Sequence, residues 1–381
     1  MKKILLILFI ATTFLNAQQL AFPTAIGAGA YSDVFRSSYT VIHVTSLADG
    51  SSNDVGTLRW AIQNSANKSL NRIVVFDVSG VINLNSEIYA SNGAGDEGGY
   101  TGSIYLAGQT APEGGITISG DRIRMVDWET IIVRYIKFRN DGSYDGSISV
   151  RAYNEIIDHC SLSHVSNSTG IAMASRQTGD LSKGTFSNNL IGQCSYAFIL
   201  GETTPNASRQ LEDGSFTVAR NAYYNVGWRV PFKGGSAIKV DVFNNLVHNW
   251  SDRLLRMDGH PYKLNHFQNY YQASSNTTNQ LLWSSYLDSE TPPQIYTANN
   301  FLEDDPRGNF SKPANFNTNE SVAWTEFQNN FVALPSGYFV ATPHPIHNPE
   351  TFSLLNSFDL KTEVLPLVGA SQYITDSGVL G

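Results

Sequence analysis

Three cations are the side chains whose types and spacing can do chemistry: Arg229, Lys233 and Arg253. Arg229 and Arg253 are 24 residues apart, which is also the spacing from Asn221 to Asn245 and from Asn245 to Asn269. If 24 residues make one turn of a coiled sheet, the two guanidinium groups fall on neighbouring turns, about 4.8 Å apart. Like charges that close are unfavourable unless an anion bridges them, so a carboxylate or sulfate ligand is expected between them. Eight residues on from the repeat positions His159, Asn221 and Asn245 stand Asn167, Arg229 and Arg253, one predicted face. Lys233 lies four residues past Arg229 and, by the period of two of an extended strand, shares its side. Trp228 and Trp250 are the aromatics nearest these cations, and each is a candidate face for a sugar ring. Hydrolysis of a glycosidic bond would instead need two carboxyl groups placed across it. Between Asn189 and Asn269 the chain offers Glu202, Asp241, Asp252 and Asp258, with no acidic pair marking one coil face.

The elements that must position these groups are short β-rich runs: Val41 to Val44, Ile73 to Phe76, Ile116 to Ile118, Ile131 to Ile136 and Glu155 to Ile157. Gly, Asn, Asp and Ser clusters separate them. One amphipathic helix is expected over Thr57 to Ala66, where Leu58, Ala61 and Ile62 share a face. The second half carries a loose repeat: FSNNLIGQ, VARNAYYN, VFNNLVHN, HFQNYYQA, YTANNFLE and FQNNFVAL. Its marker asparagines are Asn189, Asn221, Asn245, Asn269, Asn300 and Asn330. Repeats of this length with variable insertions signal a solenoid or a propeller, but propeller blades need about 40 to 45 residues each. The predicted fold is therefore all-β, a single-stranded parallel β-helix. Each coil contributes one Asn at a tight turn, tolerating left-handed geometry and stacking into an asparagine ladder. Working backwards, His159 takes the ladder position one coil before Asn189. The coils should run from about residue 40 to about 335, with residues 336–381 as a flanking tail.

Composition bounds the setting. Met1-Lys2-Lys3, an apolar run from Ile4 to Leu15 and the small-residue site at Ala17 predict a signal peptide over residues 1–17. The run is too short to span a membrane, which takes roughly 20 apolar residues. A secreted or periplasmic location follows, with no membrane partner. Residues 18–381 read as one domain, since a solenoid can add coils beyond the size at which a compact core splits. Two cysteines, Cys160 and Cys194, make no disulfide framework, and two buried thiols are the expected state. The formal charge of −8 argues against nucleic acid, which calls for a basic stripe. An acidic polysaccharide would need a local cationic groove or a bridging metal.

AFPTAIGAGAYS (21–32), GTLRWAI (56–62), IVVFDVSGVINL (73–84), LAGQTAPEGGITI (106–118), IIVRYIKFR (131–139), IIDHCSLS (156–163) and WRVPF (228–232) together resemble the bacterial pectate lyases, in the family's order. The resemblance implies a right-handed β-helix and β-elimination. A base takes the C5 proton beside a uronate carboxylate while the C4 glycosidic oxygen leaves. It makes Arg229, in Arg229-Val230-Pro231, the catalytic residue. The role is either base or cation for the developing enolate, because an arginine pKa lies above 12. It lets Lys233 stand for a substrate-binding arginine the family often carries after its R-x-P, and Arg253, from its spacing, and Trp228, from its ring, join Lys233 as the expected substrate-binding residues. It implies calcium as cofactor, acting as a Lewis acid on the uronate. Asp145, 13 residues before Asp158, matches the spacing of one calcium ligand, and Asn167 completes the metal set. The family's acidic pair falls here on Asn167 and Ser168, which leaves that site short of charge. Glu202 falls where a substrate-binding lysine is usual. Two rival functions are a β-helical glycoside hydrolase and a non-catalytic glycan-binding protein that kept the fold.

Overall fold

The computed structural model describes residues 19–31, 38–91, 102–140, 146–175, 182–200, 214–230, 232–233, 237–251, 253–258, 262–274, 277, 281–286, 293–304 and 336–370. Its strands pair in parallel and stack into three walls. Wall one runs from Thr40–Val44 through Arg72–Phe76, Ile104–Ala107, Lys183–Ser187, Gly214–Ala219, Ala237–Phe243 and Lys263–Phe267 to Gln294–Ala298. Wall two runs from Gly80–Leu84 through Ile116–Gly120, Ile136–Arg139, Ala222–Trp228, Leu246–Trp250 and Tyr270–Gln272 to Phe301–Glu303. Wall three holds Ile88–Ser91, Phe232–Lys233, Arg253–Asp258 and Leu281–Tyr286. Four long strands turn a corner and serve two walls each: Ile123–Arg134, Ile148–Asp158, Ser161–Ser175 and Leu190–Leu200. The solenoid is a right-handed parallel β-helix, the hand that parallel crossovers adopt almost without exception. Alternate residues of every wall point inward, and Val74, Ile82, Ile118, Ile131, Val133, Ile157, Val240 and Leu264 make a continuous apolar column.

In the first coil only wall one has a strand. The helix Leu58–Gln63, capped by the Thr57 hydroxyl on the Trp60 amide, packs Leu58, Ala61 and Ile62 onto the core end. Arg72, fully buried, donates to the Ala61 and Ile62 carbonyls at the end of that helix and lies 5.0 Å from the Trp128 ring.

The turn between walls one and two explains the repeat. Asn189, Asn221, Asn245, Asn269 and Asn300 stack coil on coil, all buried. Each Oδ1 from Asn221 onward accepts both the backbone N–H and the Nδ2 of the ladder residue before it, at 2.8 to 3.1 Å. Each Nδ2 also donates to a wall-one carbonyl, such as Ile157 for Asn189 and Val218 for Asn245. Two sequence expectations are corrected here. Cys160 takes the ladder position before Asn189, since its amide donates to Asn189 Oδ1 at 2.8 Å. The left-handed residue is the one preceding the ladder position, at His159, Asn188, Arg220, Asn244, Gln268 and Asn299, all with φ between 51° and 56°. Asn330 and the signal peptide lie outside the described residues.

The two flanking segments, residues 19–31 and 336–370, lie along wall one and its turn. Thr185 and Thr217 accept the amides of Gly29 and Ala28, while Asp241 and Asn265 accept those of His347 and His344. The two segments also meet each other, through Gly27 with Thr351 and Asn348. Further on, the left-handed residues grip the tail: Arg220 holds Ser353, Asn244 holds Leu355 and Gln268 holds Ser357. Leu360, Val364 and Val368 then cover Ala222, Leu246 and Tyr270 of wall two. Both cysteines are free and buried, and burial pushes each thiol up to about 12.

Candidate active site

Arg229 stands where the chain passes from wall two into wall three. Its backbone is left-handed, with φ of 66°, and tied on both sides. The Phe198 amide donates to the Arg229 carbonyl at 2.9 Å, and the Val230 amide donates to the Leu254 carbonyl at 2.8 Å. Val230 lies in the core, while Arg229 at the coil's corner is half-buried. Its Cζ lies 4.4 Å from the centroid of the Tyr196 ring and 4.8 Å from that of Trp228. The two rings meet edge to face, 5.2 Å apart at 71°. Aromatic faces attract a cation through their quadrupole, so the two rings brace the guanidinium at this corner.

The register fixes the neighbours. Val226 pairs with Trp250 and Phe232 with Arg256, both 24 residues on, so Arg253 is level with Arg229 on the next coil. The side chains of Arg253 and Lys233 are outside the described residues. Lys233 pairs with Leu200, whose side chain is in the core, and with Met257. The left-handed turn at Arg229 breaks the extended alternation on which a shared side for Arg229 and Lys233 rested. Asn167 lies in the interval between Val165 and Thr169 where the register against Leu190–Leu200 shifts. The ungapped count from His159 therefore does not bring Asn167 level with Arg229. Asp145 lies outside the described residues.

The tryptophans correct another expectation. Trp250 is fully buried and Trp228 is 8% exposed, so neither presents a face to a sugar, and Trp228 acts beneath the guanidinium. Tyr196 was not among the residues singled out from sequence. A signal existed: seven residues on from Asn189 and Asn221 stand Tyr196 and Trp228, which the structure pairs. Among the acids weighed for hydrolysis, Asp241 is buried and engaged with the His347 amide and ring and with Asn265. It serves the docking of the tail. Glu202 and Asp252 lie outside the described residues, as does the side chain of Asp258.

Asp158 and His159 form a separate buried network below the ladder. Asp158 accepts from Arg134 Nε at 2.8 Å, Ser187 Oγ at 2.8 Å and Asn188 Nδ2 at 2.9 Å, and pairs with His159 Nδ1 at 2.7 Å. Burial opposes its charge, but His159 and Arg134 outweigh that and hold the carboxyl well below the usual range. Tyr135 stacks on His159 at 4.8 Å, completing a structural cluster.

The side chains expected to hold the calcium ion implied by the fold family, those of Asp145 and Asn167, lie outside the described residues. Among the described residues no group of three or more His, Cys, Asp or Glu side chains could hold a metal. The positions for the expected acidic pair carry the neutral donors Asn167 and Ser168. No helix among the described residues is long and apolar enough to cross a membrane.

No family model matches the chain. Over 237 residues, 61% of this chain, it is 31% identical to a probable pectate lyase C of Emericella nidulans. It is 32% identical over 236 residues to one of Aspergillus fumigatus. The chain spans about half the length of the curated relatives it matches, 48% in both cases. Solved structures share the fold over more of the chain. Jun a 1, the major allergen from cedar pollen, has a TM-score of 0.63 at 17% identity, covering 91% of this chain and 92% of its own. A pectate lyase bound to hexasaccharide scores 0.56 at 15% identity, over 93% of this chain and 99% of its own. Pectate lyase C from Erwinia chrysanthemi, at pH 9.5 with 30 mM Ca2+, scores 0.51 at 14% identity, over 93% and 99%. The chain is thus similar to the pectate lyases in sequence across 61% of its length and shares a fold with the solved structures across 91% or more of it.

Proposed function

We propose that this chain is a secreted or periplasmic polysaccharide lyase that cleaves a uronate-containing, pectate-like glycan by β-elimination. The carrying observation is Arg229: a half-buried cation fixed at the corner of walls two and three, braced on two aromatic rings, with Arg253 level on the next coil. Paired cations one coil apart suit a uronate carboxylate. In this reading Arg229 binds that carboxylate and holds the enolate charge as C5 is deprotonated. A guanidinium, with a pKa above 12, has no lone pair to offer, so hydroxide from solvent takes the C5 proton and becomes water. The electron pair then closes the C4–C5 double bond, the C4–O bond breaks, and the leaving oxygen takes a proton from water.

Arg253 and Lys233 are proposed to hold further carboxylates, and Asp145 with Asn167 a weakened calcium or substrate site. A relative's hexasaccharide and another's calcium support these roles by likeness. With neutral donors at 167 and 168, calcium should bind weakly, since affinity follows ligand charge. The test is a digest of a uronan panel by purified protein, with calcium and with chelator, read by the ultraviolet absorbance of unsaturated products. Expected are unsaturated products that persist, reduced, in chelator, and a fall of roughly 100-fold or more for Arg229→Ala. Arg229→Ala retaining wild-type rates would overturn the role of Arg229. Saturated reducing ends would show hydrolysis, and calorimetric binding without turnover would show a glycan-binding protein with an eroded site.

A further inference from the structure

Tyr196 has no part in the elimination as written above, yet it is the ring nearest Arg229. It pairs with Trp228 across neighbouring coils, and the edge-to-face contact between them forms a corner of two ring planes. The guanidinium carbon sits over both faces, closer to Tyr196. Trp228 is buried and cannot leave. The Arg229 backbone cannot swing either, because its carbonyl is tied to Phe198 and the following amide to Leu254. Beyond the fixed backbone the side chain reaches over the Tyr196 ring, and a planar cation held against a ring face is restricted in its rotation. Its edge, where the N–H donors lie, then points away from the ring.

We infer that Tyr196 is a positioning residue: its ring face sets the plane of the Arg229 guanidinium and turns the donor edge toward the substrate carboxylate. The inference rests on the lyase reading for its catalytic consequence, though the brace itself does not. The contact is made by the ring and not the hydroxyl, so Tyr196→Phe should keep it and Tyr196→Leu should lose it. A cation–π contact at a half-exposed site is worth about 0.5 to 2 kcal/mol, equivalent to about 2- to 30-fold in rate. Because the orientation matters most as charge develops, the loss should fall on kcat more than on KM.

Two measurements on the full chain test this. The first is kcat and KM on polygalacturonate for wild type, Tyr196→Phe and Tyr196→Leu. Expected are near-wild-type values for Tyr196→Phe and a kcat lowered by roughly 5- to 30-fold with little change in KM for Tyr196→Leu. The second is the Arg229 Hε resonance of 15N-arginine-labelled protein, which a ring face shifts upfield. Expected is an upfield shift kept in Tyr196→Phe and reduced in Tyr196→Leu, where only the Trp228 ring remains. Equal kcat in Tyr196→Leu and wild type, or a Tyr196→Phe as impaired as Tyr196→Leu, overturns the positioning role. An unshifted Hε in the wild type overturns the brace itself. A wild type that turns over no uronan but keeps the shifted resonance sinks the lyase reading and leaves the brace standing.

Discussion

Buried ionisable groups set the acid limit of this fold, and they do so from two directions. His266 is fully buried, bonded to the Tyr271 hydroxyl at 2.6 Å, and burial pulls its pKa down to about 3. The unfolded chain, with an imidazole near 6.5, binds the extra proton that the folded chain refuses. Stability is therefore expected to fall as pH drops from about 6.5 toward 3, by up to about 1.4 kcal/mol per unit. Asp158 acts lower down. Its depressed carboxyl contributes stability above the unfolded value of about 3.9, and that contribution is lost as pH falls through its folded value. Urea midpoints measured from pH 7 to pH 4 should decline for wild type and stay flatter for His266→Gln. An equally steep decline in that variant would show that other groups carry the slope. At this scale the sequence was read unevenly. Arg229 stood out because R-x-P is a compact motif. Tyr196 did not, because its partner Trp228 is 32 residues away and the pairing exists only once coils are stacked in register.

At the scale of elements, the ladder turn ties the coils together. Asn245 donates to Val218, Phe243 and Asn269 and accepts the Asn221 amide and Nδ2. Asn245→Ala leaves buried donors and acceptors on both neighbouring coils unmet, at about 1 to 3 kcal/mol for each orphaned group. A loss of roughly 2 to 5 kcal/mol in chemical denaturation is expected, and a loss below about 1 kcal/mol would show that the turn readily relaxes. The ladder was legible because its side chains must be asparagine: one short amide supplies an acceptor for one coil and donors for another. Its first step was misread by one residue. The polar His159 looks like a ladder residue, while Cys160, which lacks an amide, takes the position through its backbone alone. The corner at Arg229 was read less well. Alternation along a strand predicts sides only while φ and ψ stay extended, and a φ of 66° there resets the phase for Lys233.

For the whole molecule, the two flanking segments behave as one bound strap. The outer face of wall one carries a polar column of Thr185, Thr217, Asp241 and Asn265, and each bonds an end segment through its side chain, Thr217 once and the other three twice. Because Gly27 meets Thr351 and Asn348, release of one end should loosen the other. Asp241→Ala, which removes both bonds to His347, is expected to speed protease cleavage within 339–352 by about tenfold. Cleavage within 21–31 should rise with it, while the far-ultraviolet dichroism of the coils is unchanged. Faster cleavage at the C-terminal segment alone would show that the two ends dock independently. This lamination was invisible in sequence, where residues 336–370 read as a turn-rich tail with no repeat.

A stack of parallel strands has two raw ends, and each presents unpaired amides and carbonyls that could recruit another copy edge to edge. Here the helix Leu58–Gln63 occupies the place of the missing strands in the first coil, and buried Arg72 fastens its last turn by the Ala61 and Ile62 carbonyls. The same short helix that completes the core thus closes one of the two ends against edge-to-edge pairing.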